Sequence, residues 1–326
     1  MQLDAILKAV QETLNGKVVH YLDRKYSDDR EFISATQKNP YITIIPILQG
    51  CLGACTYCKT KQARGQLHSY SKESILKQIM LAQEKKHSEV WLVSEDNGAW
   101  GLDRNETFPD LLRAIVDLAP TLRIRIGMMN AQYVRTYAKE LAELLKHDCF
   151  YTFIHIPIQA ASNTVLKDMN RFYTIEEFEE SAQQLRKELP DITIMTDIIC
   201  GYPTETQDDW NQTMNFLKSF QFNAINISKF YPRSNTPAAK LSLLPTHHVK
   251  ERSKELTQWF ATQNYNEHYV GTTVLATFVE YKEGTLIGHT KNYRQVIVRG
   301  DKEFLGTTKN VKIESVTRDD LRGIFV

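Results

Sequence analysis

The sequence predicts an α/β protein: a partly open (β/α)6 barrel of parallel strands, followed by a small all-β barrel. Three observations carry this expectation. From residue 41 onward, six short β-rich apolar runs alternate with amphipathic helical patterns, the mark of βα units on a parallel sheet. Pro46 lies inside the first run, where its missing N–H suits only an edge strand, and a closed barrel has no edge. After residue 267 the helical period gives way to several short strands, with turn residues at Glu283-Gly284 and Gly300-Asp301. A doubly wound sheet is the rival for the first part, because it is assembled from the same βα unit.

Taken in order, residues 1–40 read as a short amphipathic helix with Leu3, Ile6, Val10 and Leu14 on one face. Asn15-Gly16 closes it, and a charged stretch runs from Asp23 to Arg30. The main domain spans 41–240, with strands at 41–48, 90–94, 122–128, 151–158, 192–200 and 224–231. Ser71 starts the helix carrying Ile75, Ile79 and Ala82, Thr174 and Glu177 form a capping box, and Thr204 with Gln207 forms another ahead of Trp210, Met214 and Leu217. Residues 241–267 connect the domains through a polar helix at 245–266. The small barrel occupies 268–326, with strands at 274–279, 295–299 and 311–316.

The balance of 42% hydrophobic and 24% charged residues excludes a disordered or fibrous chain. A net charge of +1 excludes a purely polybasic nucleic-acid binder, so any such partner is held by a local patch. Neither a long apolar run nor a charged-then-apolar leader appears, which points to a cytoplasmic, reducing setting without a membrane.

Three of the five cysteines fall on one loop, Gly50-Cys51-Leu52-Gly53-Ala54-Cys55-Thr56-Tyr57-Cys58-Lys59, straight after the first strand. Such spacing does not suit disulfides. A structural zinc would want a fourth ligand, for which His68 is the nearest candidate. A [4Fe–4S] cluster held by three thiolates leaves one iron open to a small molecule. The loop position favours the second, since catalytic groups of parallel barrels sit at the C-terminal ends of strands. Cys149 and Cys200 lie in apolar contexts and read as packing residues.

The triplet resembles that of the radical S-adenosylmethionine (SAM) superfamily. Further stretches narrow the resemblance: Ser94-Glu95-Asp96-Asn97-Gly98, Pro157-Ile158-Gln159-Ala160-Ala161-Ser162, Asp197-Ile198-Ile199-Cys200-Gly201-Tyr202-Pro203 and Phe230-Tyr231-Pro232-Arg233-Ser234-Asn235-Thr236-Pro237. Together they are similar to the tRNA methylthiotransferases, above all the archaeal and eukaryotic branch acting on N6-threonylcarbamoyladenosine. The C-terminal segment resembles a TRAM domain, an OB-like barrel that holds RNA.

The resemblance implies a radical SAM barrel in which Cys51, Cys55 and Cys58 hold one [4Fe–4S] cluster, beside which SAM is cleaved to a hydrogen-abstracting radical. No side chain is catalytic in its own right. It implies SAM contacts from Tyr57, Ser94, Glu95, Asp96, Asn130, Gln159, Ser162 and Asp197, with Arg171 as a carboxylate or substrate clamp. Lys59, Lys61, Arg64 and Arg233 would face the tRNA anticodon arm, and Lys291, Arg294 and Arg299, with Tyr281 and Tyr293, would form the RNA surface of the small barrel. An electron donor is implied as a partner. The family carries three further cysteines in an N-terminal domain, whereas none precedes Cys51 here, and residues 11–16 resemble that domain's last helix. Sulfur insertion would then need a sulfur donor or a separate subunit. A tRNA-binding protein with a structural cluster, or a tRNA methylase without sulfur insertion, are the alternative functions.

Overall fold

The computed structural model describes residues 5–21 and 39–326; Leu3 and the stretch from Asp23 to Arg30 lie outside them. The opening helix α1 (Ile6–Leu14) ends on Asn15 and buries none of its residues, so it adds nothing to the core.

The main domain then runs β1 (Ile42–Pro46), β2 (Leu48–Gln49), α2 (Thr60–Arg64), β3 (His68–Ser69), α3 (Lys72–Glu84), β4 (Glu89–Val93), α4 (Phe108–Leu118), β5 (Arg123–Ile126), α5 (Ala131–Leu144) and β6 (Phe153–His155). It continues through α6 (Asn163–Asp168), α7 (Ile175–Glu188), β7 (Thr193–Cys200), α8 (Gln207–Phe220), β8 (Ala224–Lys229) and α9 (Thr246–Ala261). Parallel ladders join β1-β4-β5 and β6-β7-β8. A parallel bridge between Ile124 and Phe150, with Tyr151 N–H donating to the Ile124 carbonyl at 2.9 Å, links the two halves. The strand order is therefore the chain order, without the reversal that a doubly wound sheet requires. No ladder joins β1 to β8 among the described residues, so the barrel is open on that side, and Pro46 lies on the edge strand.

The helix signals follow their sequence cues with one exception. Ser71 Oγ accepts from Ser74 N–H, and Thr174 and Glu177 close a capping box. The box before α8 is Thr206 with Asp209, two residues beyond the predicted Thr204 and Gln207. Asp209 wins because its carboxylate reaches both the Thr206 N–H and hydroxyl while also accepting from Ser162. The first predicted strand also breaks early. Past Pro46 the chain turns into β2, which pairs antiparallel with β3 and brackets the cysteine loop.

Strands β9 (Thr273–Lys282), β10 (Thr285–Thr290), β11 (Gln295–Arg299), β12 (Thr308–Val316) and β13 (Asp320–Phe325) close a second barrel in the order β10-β11-β13-β12-β9. Its core is Ala276, Phe278, Leu286, Val296, Val298, Val311, Ile313 and Leu321. This barrel seals the end of the first at which the parallel strands begin. The β10–β11 turn is the plug: Tyr293 packs on Tyr151 and Phe153 at centroid distances of 4.8 and 5.0 Å and stacks on His289 at 4.3 Å. Asn292 donates to the Asp191 carbonyl, and Lys291 donates to the carbonyls of His147 and Phe150, each at 2.6 Å.

Glu89, at the start of β4, is fully buried under that plug and accepts from Trp91 Nε1 (2.9 Å), the Tyr151 hydroxyl (2.5 Å) and His289 (2.8 Å). Burial opposes its charge, but His289 and the other donors outweigh burial and hold the carboxyl below its ordinary range. A carboxylate with a lowered folded-state pKa contributes stability above its unfolded value and loses it as pH falls through the folded one. The domain interface is therefore expected to weaken in acid below about pH 4. Glu89→Ala should cost about 3 kcal/mol at neutral pH, read by urea denaturation, and flatten the acid limb of the stability profile.

Candidate functional site

The cysteine loop leaves the C-terminal end of β1, at the mouth opposite the plug. Gly50 begins it with φ +80°, and a Cβ there would sit 1.9 Å from the Gln66 carbonyl oxygen, so the position admits only glycine. Gly53 lets the sulfurs close in: a Cβ on it would lie 3.2 Å from Cys51 Sγ and 3.9 Å from Cys55 Sγ. The loop is tied down from outside. Thr56 N–H donates to the Met169 carbonyl at 3.1 Å, Thr56 Oγ1 to the Asp168 carbonyl at 2.8 Å, and Asn170 Nδ2 to the Ala54 carbonyl at 2.9 Å. From the open side of the barrel, Ala238 N–H reaches the Thr56 carbonyl at 3.0 Å.

Each sulfur faces a donor. Gly53 N–H points at Cys51 Sγ (3.2 Å), Thr60 N–H at Cys58 Sγ (3.4 Å) and Arg171 Nη1 at Cys55 Sγ (3.5 Å). Burial pushes the Cys51 thiol up to about 11, so a metal centre is what would ionise it. Among the described residues no three His, Cys, Asp or Glu side chains are gathered round one metal position. A single zinc ion does not fit that spread, and His68 is built into β3 against Gln49. Three thiols on one loop, with N–H donors behind them, suit a cluster that takes each sulfur on a different iron.

Beside the loop opens a cavity of about 520 Å³, lined among others by Tyr57, Gln159, Asp197, Asn226, Lys229 and Arg233. Gln159 holds φ +69°, a strained backbone for a non-glycine, and its peptide is fixed by the Asp197 carbonyl and Ile199 N–H. Asp197 faces inward and accepts from His155 (2.9 Å) and Asn226 (2.8 Å). Asp96 is buried at the end of β4, where desolvation raises its carboxyl to about 6 against the Asn130 N–H bond that lowers it.

Models of the radical SAM superfamily and of the TRAM domain match residues 45–217 and 267–326. The threonylcarbamoyladenosine tRNA methylthiotransferase of Caenorhabditis elegans is 38% identical over 97% of this chain and 76% of its own length. The chain belongs to that family of radical SAM proteins. The Drosophila pseudoobscura relative of the same name is 39% identical over 99% of the chain, which spans 60% of that protein's length. A probable member from Pyrococcus horikoshii is 36% identical over 99% of the chain and 77% of its own length. The solved radical SAM methyltransferase of Kitasatospora setae, with tryptophan and a SAM analogue bound, superposes on 75% of this chain and 42% of its own with a TM-score of 0.51. At 14% identity, that likeness speaks to the fold alone.

Tyr57, Gln159, Asp197 and Arg233 thus share one cavity of the radical SAM barrel, but other expected contacts do not. Ser162 is buried and donates to Asp209, so it braces α8 rather than facing the mouth. Asn130 caps α5 through Gln132 N–H, and Ser94 bonds to Asn97. Glu95 pairs with Arg64 at 3.4 Å, and Lys59 and Lys61 donate to Ser234 and the Leu52 carbonyl. In the TRAM barrel, Arg299 is exposed, whereas Lys291 and Tyr293 belong to the plug and are withdrawn from any RNA surface. Burial lowers the Lys291 ammonium to about 8 and also lowers Arg294. Lys302 lies 5.2 Å over the ring of Tyr281, which packs against the barrel core.

Sequence reasoning missed Asn226 and Lys229 in the cavity, His155 as the partner of Asp197, and Thr56, Asn170 and Tyr202 behind the loop. Asn226 and Ser228 were detectable as polar residues at every second position of an otherwise apolar strand.

Gly50→Ala should lower stability by about 3 kcal/mol, combining strained φ with a backbone clash. Gly284→Ala, in the turn between β9 and β10 at φ +80° with nothing within 4 Å of the added Cβ, is the control and should cost about 1 kcal/mol. Thermal unfolding of the two variants checks the difference.

Proposed function

We propose that the chain is a radical SAM enzyme that holds one [4Fe–4S] cluster and acts on N6-threonylcarbamoyladenosine next to the anticodon of tRNA, towards the 2-methylthio product. The observation that carries this reading is the meeting of the three-thiol loop and the polar cavity at one barrel mouth, with Tyr57 common to both. Cys51, Cys55 and Cys58 would hold the cluster. Bound there with SAM, it supplies one-electron reductive cleavage, the source of hydrogen-abstracting power towards an unactivated carbon.

The chain's own residues do the positioning. Tyr57 offers a ring face beside the cluster loop for the adenine of SAM. Buried Asp96 offers a carboxylate for its ammonium group, and above about pH 6 that carboxylate is charged. The cavity ends on Lys229 and Arg233, and Arg233 lies 5.4 Å over the Tyr231 ring. Asp197, the carboxylate in that lining, is already bonded to His155 and Asn226. Cations set beside a stacking ring suit a modified base bearing a carboxylate, which the threonyl group provides. The remaining partners are the anticodon arm, a low-potential electron donor and a sulfur donor or separate subunit. All five cysteines are free thiols, which fits a cytoplasmic setting, and no described helix is long and apolar enough to cross a membrane.

Anaerobic reconstitution with iron and sulfide, followed by dithionite and SAM, should yield 5′-deoxyadenosine by chromatography, and Cys55→Ala should yield none. A full iron complement without that product would favour a structural cluster, and tRNA gaining one methyl mass without sulfur would favour a methylase. Arg233→Ala should weaken binding of an anticodon stem-loop carrying threonylcarbamoyladenosine about tenfold, from loss of roughly 1.5 kcal/mol, while a stem-loop with plain adenosine binds both proteins alike.

A further inference from the structure

The three cysteines are supported unequally. Cys51 and Cys58 face N–H groups from their own loop, whereas Cys55 faces a guanidinium that arrives from the far side of the barrel, 116 residues away in the chain. That guanidinium is fixed on every side. Arg171 Nη2 donates to the Pro157 carbonyl at 2.8 Å, Nε to the Tyr173 hydroxyl at 3.4 Å, and the group lies 5.3 Å from the Tyr173 ring centroid. Tyr173 is itself buried and donates to the Ile158 carbonyl at 2.8 Å. The remaining nitrogen, Nη1, is the one aimed at sulfur; among the described residues no carboxylate stands within ion-pair distance of Arg171, although its charge is felt by buried Asp96.

From this geometry we propose that Arg171 is a positioning residue for the cluster's electron rather than a clamp on SAM or substrate: it donates a charge-assisted hydrogen bond to the Cys55 sulfur and raises the cluster's reduction potential. The inference rests on the cluster reading above. Reduction adds one negative charge to the cluster, and part of that charge spreads onto the thiolate sulfurs. A fixed cation bonded to one of them stabilises the reduced form more than the oxidised one. An Arg does this without competing for its proton, since it stays charged in proteins. The anchors on Pro157 and Tyr173 keep the group from swinging into the cavity, where a substrate carboxylate would sit.

The test uses the reconstituted full chain as wild type, Arg171→Met and Arg171→Lys, with iron content, redox titration of the reduced cluster's electron paramagnetic resonance signal, and SAM affinity. Arg171→Met should load iron like wild type and bind SAM within twofold. Its reduced-to-oxidised ratio at a fixed potential should fall at least tenfold, a midpoint about 59 mV more negative for a one-electron couple. Arg171→Lys should fall between, because it keeps the charge but loses the fixed fork, and it carries the test if the Met variant does not fold. An unchanged midpoint with SAM binding weakened tenfold or more would overturn the proposal in favour of a clamp. A wild type that takes up no iron would overturn the cluster reading, and this inference with it; a loaded wild type with unmoved midpoints in both variants would overturn this inference alone.

Discussion

The site depends on a loop that cannot hold its own shape. Between Gly50 and Lys59 the chain must present three sulfurs in one direction, which leaves little backbone pairing inside it: Cys58 N–H to the Cys55 carbonyl is one such bond. Its conformation is imposed by the turn after α6 and by the segment after β8, which grip opposite sides of Thr56. Both grips come from the β6-β7-β8 half of the barrel, so the loop after β1 takes its shape from the half to which its own strand does not belong. The open edge is thus bridged at the mouth by the functional loop itself, with Gln62 Nε2 adding a bond to the Asn235 carbonyl at 2.7 Å.

That dependence explains what the sequence could and could not tell. The cysteine spacing, the βα alternation and the edge strand at Pro46 are local patterns, and each stands in the structure where its pattern places it. The supports are long-range. Nothing near Asn170 announces that its amide will hold Ala54, and nothing near Thr56 announces Asp168. Ser162 looks like a strand-end polar residue until α8 delivers Asp209 to it. The capping box before α8 slips by two residues for the same reason, since Asp209 does two jobs and Gln207 does none of them.

The TRAM barrel gives the clearest failure of local reading. Lys291, Tyr293 and Arg294 combine rings and cations in the way an RNA surface does, yet Lys291 and Tyr293 form the plug that closes the base and Arg294 is drawn in against Tyr269. A lysine that finds two carbonyls, and a tyrosine that finds three aromatic neighbours, satisfy the same composition as an RNA contact. Composition cannot separate the two; only knowledge of which barrel end is covered can.

Covering that end has a geometric consequence for a tRNA substrate. The plug sits where the strands begin and the cysteine loop sits where they end, and a strand of about six residues spans about 20 Å. In the proposed complex, an anticodon arm whose modified base enters the mouth would not meet the plug, because the plug's side chains are taken up by the first barrel. Contact with the TRAM barrel would then run along its outer wall, where Arg299, Lys309 and Lys312 are exposed. Such a contact would grip the stem rather than the base, so it would add affinity without reading the modification. Discrimination of the modified adenosine would then fall to the cavity residues at the mouth, Lys229 and Arg233 among them.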